Sequence, residues 1–216
     1  MTMFQQIFFD CDSTLTTIEG IDELAKEPKL KARIEHLTKE AMLGRLDFRD
    51  ALQKRLELLR PTRKDFQNIG LHYIKNTFPG AKELITFLKQ RQKQVYIVSG
   101  GFKTAILPFA AHLGIPEHNV FANEVVFDKQ GHLQKLNFNN PLIHTNGKAQ
   151  FMRSHRLLNP HKKTAFIGDG VTDLATAPFV NRFIGFGSVQ IRPRVRAKSR
   201  HFFTDENLLK LLPLLT

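Results

Sequence analysis

The 216-residue chain is poor in cysteine, in acidic residues and in long apolar runs. Its one cysteine, Cys11, cannot close an internal disulfide, which excludes a bridged scaffold and agrees with a reducing, cytoplasmic compartment. No apolar segment approaches the ~20 residues that span a bilayer, and Met1 to Phe9 lacks the basic and long apolar regions of a signal peptide, so no membrane partner is expected. Repeats and low-complexity tracts are also missing, which excludes solenoids and argues against disorder. Only 20 acidic residues face 32 Lys and Arg, a net charge of +12, and this excess fits an anionic ligand, either a small phosphorylated molecule or a nucleic acid. The densest basic stretch, Arg192 to Arg200, has no interleaved aromatic residues. It reads as a solvated loop and helix face, and nucleic acid is not the expected partner.

What the chain does have is a set of short apolar runs that end in polar clusters. Ile7-Phe8-Phe9 reads as a buried strand ending in Asp10-Cys11-Asp12-Ser13-Thr14. Side chains two apart share a face, so Asp10 and Asp12 can address one small volume, which requires either a cation between them or a proton on one. Cys11 points the other way and is read as core packing. From Thr14 to Thr77 the spacing turns helical, with stripes at Ile21/Leu24/Ala25, Leu30/Ile34/Leu37/Ala41, Leu52/Leu56/Leu59 and Phe66/Ile69/Tyr73. Breaks fall at Pro28, Gly44 and Arg60-Pro61, and Thr62 is placed as an N-cap.

Ala81 to Gln92 reads as a helix, Val95 to Val98 as a strand ending in Ser99-Gly100-Gly101, and Phe102 to Leu113 as a helix. Such a glycine turn lets backbone N–H groups approach an anion. Val125 to Phe127 and Leu133 to Leu136 suggest a hairpin, Gly147 to Leu157 a helix with Lys148 at its start, and Thr164 to Ile167 a strand ending in Gly168-Asp169-Gly170. Strands at Phe183 to Phe186 and Phe202-Phe203 and a helix from Glu206 to Leu215 complete the chain. Strands alternating with helices imply an α/β fold with a parallel, Rossmann-like sheet, and ligands in such folds bind beyond the carboxyl ends of the strands. The helical segment 14–77 is then a bundle inserted as a cap, and residues 1–13 with 78–216 form the core. Carboxylates, a hydroxyl beside glycines and one ammonium at strand and helix ends suit phosphoryl transfer. Mg²⁺ would be the cation, held by oxygen ligands such as Asp10 and Asp169.

The order of these motifs resembles the haloacid dehalogenase-like superfamily and, within it, the phosphoserine phosphatase family. The residues that carry the likeness include Asp10 to Thr14, Glu19 to Ala25, Ala41-Met42, Phe48, Arg55, Val98 to Phe102, Phe121 to Asn123, Gly147-Lys148, Gly168 to Gly170, Thr172-Asp173 and Phe183 to Gly187. The resemblance implies Mg²⁺-dependent hydrolysis of O-phosphoserine to serine and phosphate through an aspartyl phosphate, as in serine biosynthesis. By the same resemblance Asp10 is the nucleophile and Asp12 the general acid and base. The metal is held by Asp10, Asp169 and the Asp12 carbonyl, with Asp173 beside them. Ser99, Gly100, Gly101, Lys148 and Thr172 hold the phosphoryl group, and Glu19, Arg55, Met42 and Phe48 hold the serine. The expected partner is a small phosphorylated amino acid, and the chain is expected to be a monomer or a homodimer. Alternatives are another small phosphomonoester, transfer to an alcohol, a nucleic-acid-binding protein that uses the basic surface, or a binding protein that lost catalysis. Leu43, where the family often has glycine, and Asn137 to Asn146 depart from the family pattern.

Overall fold

The computed structural model describes residues 4–215. Residues 1–3 and 216, at the ends of the expected core unit, lie outside them. The chain runs β1 (Gln6–Phe9), α1 (Pro28–Met42), α2 (Phe48–Leu59), α3 (Arg63–Lys75), α4 (Ala81–Gln90), β2 (Gln94–Phe102), α5 (Lys103–Leu113) and β3 (Val120–Asn123). A hairpin follows, β4 (Val125–Phe127) with β5 (Leu133–Leu136), and then α6 (Gly147–Leu158), β6 (Thr164–Gly168) and α7 (Val171–Leu174). The last elements are β7 (Arg182–Phe186), α8 (Pro193–Lys198), β8 (His201–Phe203) and α9 (Leu212–Leu215).

Six strands form one parallel sheet in the order β3-β2-β1-β6-β7-β8. The successive residues of β1 divide between its two faces. Ile7 and Phe9 pack into one apolar cluster with Ile97 and Ile167, while Phe8 packs into the other with Tyr96, Val98 and Phe166. A strand buried on both sides must read as a continuous apolar run, which is why Ile7-Phe8-Phe9 shows no polar alternation. Strand order reverses between β1 and β6, so the crevice beyond their carboxyl ends is where the topology opens a binding site. Asp10 follows the first strand and Asp169 the second.

α1 and α2 pack on each other, whereas α3 packs against α5. Gly70 makes that contact possible, because a Cβ there would lie 2.9 Å from the Ala105 carbonyl oxygen. Thr62 caps α3 as the sequence suggests, its hydroxyl accepting from the Asp65 N–H while the Asp65 carboxylate accepts from the Thr62 N–H.

Several elements differ from the sequence expectation. β2 continues through Ser99 to Phe102 in place of stopping at Val98, and the edge strand β3 was not anticipated as a strand. The Ile21/Leu24/Ala25 stripe lies on a single 3-10 turn, Asp22–Leu24. The expected C-terminal helix is a 3-10 turn at Leu208–Leu211 followed by the short α9. Asn207 accepts from the Leu209 N–H, and Pro213 lacks the N–H that would bond to residue 209. No helix among the described residues is long and apolar enough to cross a membrane.

Candidate active site

A narrow cavity of about 40 Å³ lies beyond the carboxyl ends of β1 and β2, roofed by α1, α2 and α3. Its walls include Asp10, Asp12, Glu19, Met42, Phe48, Arg55, Ser99, Gly100, Gly101, Lys148 and Thr172. Asp169 and Asp173 lie buried beside it. The structure thus brings together residues up to 163 positions apart along the chain, all of them anticipated. The α2 side closes tightly: the Phe48 ring lies where a Cβ on Gly100 would be, 2.5 Å away, so only glycine admits the ring.

Asp10 sits just past β1, its N–H bonded to the Ile167 carbonyl at 2.9 Å, which ties the two central strands at the point where chemistry converges. Its Oδ1 accepts from the Cys11 N–H at 2.8 Å and meets the Lys148 ammonium at 2.7 Å. No hydrogen bond among the described residues uses Oδ2. Lys148, from the first turn of α6, also donates to Asp173 Oδ1 at 2.7 Å, and Asp173 Oδ2 accepts from the Gly170 N–H at 2.9 Å. Burial opposes the Lys148 charge, but Asp10 and Asp173 outweigh it and raise the ammonium pKa. Lys148 is therefore a fixed cation.

Asp12 Oδ1 accepts two short bonds, from the Tyr73 hydroxyl at 2.6 Å and the Gly20 N–H at 2.7 Å. Its Oδ2 is 3.5 Å from Ser99 Oγ, and Ser99 Oγ accepts from the Gly101 N–H at 2.9 Å. Burial raises the Asp12 pKa against the opposing pull of Tyr73 and Gly20. A carboxyl whose Oδ1 is filled by donors and whose pKa is raised can keep its proton on Oδ2. Burial, then Asp173, also raises Asp10 well above the ordinary range.

Asp10, Asp169 and Asp173 each offer an oxygen within 4.8 Å of the others. Both Asp173 oxygens are already engaged, but Asp169 Oδ1 is buried without any hydrogen-bond partner. A buried bare carboxylate oxygen is costly unless something absent from the protein satisfies it. An all-oxygen donor set suits a hard divalent cation.

In the loop after β1, Glu19 Oε1 accepts from Ser13 Oγ at 2.7 Å, and Oε2 has no bond among the described residues. Arg55, buried in α2 and lining the cavity, donates from Nε to the Ala51 carbonyl at 3.1 Å and from Nη1 to Thr38 Oγ1 at 2.9 Å, and its Nη2 has no hydrogen bond among the described residues.

Two participants were not anticipated. Tyr73 was read only as part of an apolar stripe, and nothing in its spacing reveals the bond to Asp12. Arg192 was read as solvated, yet it is buried against Asp169 and Glu19, with Nη2 at 2.7 Å and 3.3 Å respectively. Val195 is buried too, so the basic run is anchored in the core at two positions and only the rest of it meets solvent. The single legible signal was Pro193, since a proline opening a helix fixes the residue before it.

The acidic groups set a pH response. Burial, then Asp12 and Asp169, pushes Glu19 up to about 8, and burial holds Asp169 at about 6 despite Arg192. Raised carboxyls bind protons more tightly folded than unfolded, so their contribution is complete below about pH 4 and is lost as pH rises through the folded values. Metal-free protein is expected to lose melting temperature steadily between about pH 5 and 8. Thermal melts in chelator across that range check this, and a rising melting temperature would contradict it.

The sequence matches a family described as haloacid dehalogenase-like hydrolase over residues 4–178. The phosphoserine phosphatase of Drosophila melanogaster is 39% identical over 202 residues, 93% of this chain and 75% of that one. Among solved structures, a phosphoserine phosphohydrolase-like protein from Francisella tularensis superposes with a TM-score of 0.88 at 30% identity, covering 98% of this chain and 100% of the other. A structure described as the phospho-aspartyl intermediate analogue of phosphoserine phosphatase gives 0.83 at 28% identity, with 100% of both chains covered.

Proposed function

The chain belongs to the haloacid dehalogenase-like hydrolase family, and on that premise we propose that it is a phosphoserine phosphatase, hydrolysing O-phosphoserine to serine and phosphate. The observation that carries the reading is the meeting of Asp10, Lys148 and Asp169 at the ends of β1, α6 and β6, against a cavity that Asp10 and Lys148 line together with Glu19 and Arg55.

Mg²⁺ would be held by Asp10, Asp169 and the Asp12 carbonyl, and when bound it supplies positive charge that offsets the phosphoryl oxygens. The protein's residues do the rest. Asp10 Oδ2, free of hydrogen bonds, is the oxygen available to attack phosphorus, forming an aspartyl phosphate as the serine oxygen leaves. Asp12 Oδ2 gives its proton to that oxygen, and the same group then takes a proton from the water that cleaves the acyl phosphate. Lys148, Ser99 and the Gly100 N–H face the phosphoryl oxygens, with the Gly101 N–H holding the Ser99 hydroxyl and Thr172 adding another. Asp173 holds Lys148 in place.

Glu19 Oε2 would receive the substrate ammonium and Arg55 Nη2 its carboxylate, with Met42 and Phe48 as walls. A cavity of about 40 Å³ holds only a few waters, so the substrate enters when part of the helical segment 14–77 opens. α3 stays seated on α5, and α1 with α2 forms the part that moves. One chain supplies every group named, so a monomer suffices, and a single buried thiol suits a cytoplasmic setting.

Phosphate release from a panel of phosphomonoesters, with and without Mg²⁺, tests the assignment. O-phosphoserine should be the best substrate. Arg55→Ala should raise its KM about 10–100-fold while leaving phosphoethanolamine, which lacks the carboxylate, nearly unaffected. Preference for a sugar phosphate or nucleotide, or equal losses on both amines, would overturn the substrate.

A further inference from the structure

Arg192 has no part in the steps above, yet it is among the most enclosed charged side chains near the site, 3% exposed. Pro193 keeps its backbone extended at φ −96° and ψ 117°, and Val195 fixes α8 in the core one turn on. From there the guanidinium reaches back to the end of β6. Its Nε and Nη2 both lie on the same oxygen, Asp169 Oδ2, at 2.8 and 2.7 Å. Its own position is fixed by two further contacts, Nη1 to Gln190 Oε1 at 3.2 Å and Nη2 to Glu19 Oε1 at 3.3 Å.

The asymmetry at Asp169 is informative. An arginine that merely neutralised a buried acid would gain most by the two-pronged arrangement, one N–H on each carboxylate oxygen. Here one oxygen takes both donors, and the other, Oδ1, is buried with nothing bonded to it. The two bonds hold Oδ2, and Asp169 is one of three carboxylates, with Asp10 and Asp173, that each bring an oxygen within 4.8 Å of the others, Oδ1 being its unengaged atom.

We infer that Arg192 is a positioning residue for the metal site: by clamping Asp169 Oδ2 it presents Oδ1 to the divalent cation. The inference rests on the assignment of Asp169 as a metal ligand, and the test separates the two. Groups that orient a ligand through its second atom typically change metal affinity about 10–100-fold when lost.

The experiment is calorimetric titration of Mg²⁺ into wild type, Asp169→Asn, Arg192→Gln and Arg192→Lys, with a thermal melt of each metal-free protein. Asp169→Asn should bind no measurable Mg²⁺. Arg192→Gln should bind it about 10–100-fold more weakly than wild type. Arg192→Lys should recover part of that loss, since one ammonium cannot place two planar N–H groups on one oxygen. A purely structural role would lower the melting temperature and leave the affinity of folded protein unchanged. Wild-type affinity in Arg192→Gln, with Asp169→Asn inactive in binding, would overturn the role of Arg192 alone. Wild-type affinity in Asp169→Asn would remove the ligand assignment and this inference with it. Should Arg192→Gln fail to fold, Arg192→Lys decides: weakened binding supports the clamp, and unchanged binding overturns it.

Discussion

Replacing Asp10 with asparagine is expected to leave a folded protein that releases no phosphate. Turnover should fall to about 10⁻⁴ of wild type or lower, the scale of loss when a covalent nucleophile is removed. An amide oxygen is too weak a nucleophile to attack phosphorus, and the proposed roles leave no neighbour to substitute: Asp12 holds a proton on Oδ2, Asp169 faces the cation, and Asp173 is bound to Lys148 and Gly170. Stability should move the other way. Three buried carboxylates, Asp10, Asp169 and Asp173, face two buried cations, Lys148 and Arg192. Burial and Asp173 already raise the Asp10 pKa, which marks its charge as unfavourable in the metal-free fold. Removing that charge leaves Lys148 paired with Asp173 and relieves the excess of buried carboxylates, so metal-free Asp10→Asn should melt at or above the wild-type temperature. Wild-type activity would mean another nucleophile, and a collapse of the fold would mean that Asp10 is structural.

Lys148→Met should be damaging in both respects. The methionine fills the same space but leaves Asp10 and Asp173 buried against each other without a cation. Breaking a buried pair from one side costs roughly 3–5 kcal/mol, here with two acids abandoned in place of one. For a chain of this size that corresponds to a fall of roughly 10 °C in melting temperature. The fall should be smaller near pH 5, where Asp10, its pKa raised by burial, can take a proton and end the repulsion. On the proposed mechanism turnover should drop by about 10²–10³-fold or more, because the charge assigned to the phosphoryl oxygens would be gone. A melting temperature within a degree of wild type at pH 8, with activity retained, would contradict both roles.

How much of this could be read from the chain depends on the range of the interactions involved. The sheet was legible because a strand buried on both faces leaves an unbroken apolar run, as in Ile7 to Phe9 and Ala165 to Ile167, and because the candidate reactive groups sit directly after those ends. Glu19, in the loop after β1, and Arg55, in α2, were legible only through resemblance, since nothing in their local spacing sets either apart. Arg192 and Tyr73 escaped because their meaning is non-local. Arg192 meets Glu19 across 173 positions, and Tyr73 reaches Asp12 across 61. Net charge misdirected the reading of the first, since a basic run suggests solvent. At the C-terminus, leucine spacing outweighed Pro213 in the expectation, while in the fold the missing N–H prevailed.

The most direct measurement is acid quenching of wild-type protein during turnover of O-phosphoserine, followed by peptide mass analysis, with Asp10→Asn as the control. The expected result is one phosphoryl group on the peptide bearing Asp10, absent in the variant and chased by water in the wild type. Phosphate released without any phosphorylated protein, or a phosphoryl group found on a residue other than Asp10, would contradict it.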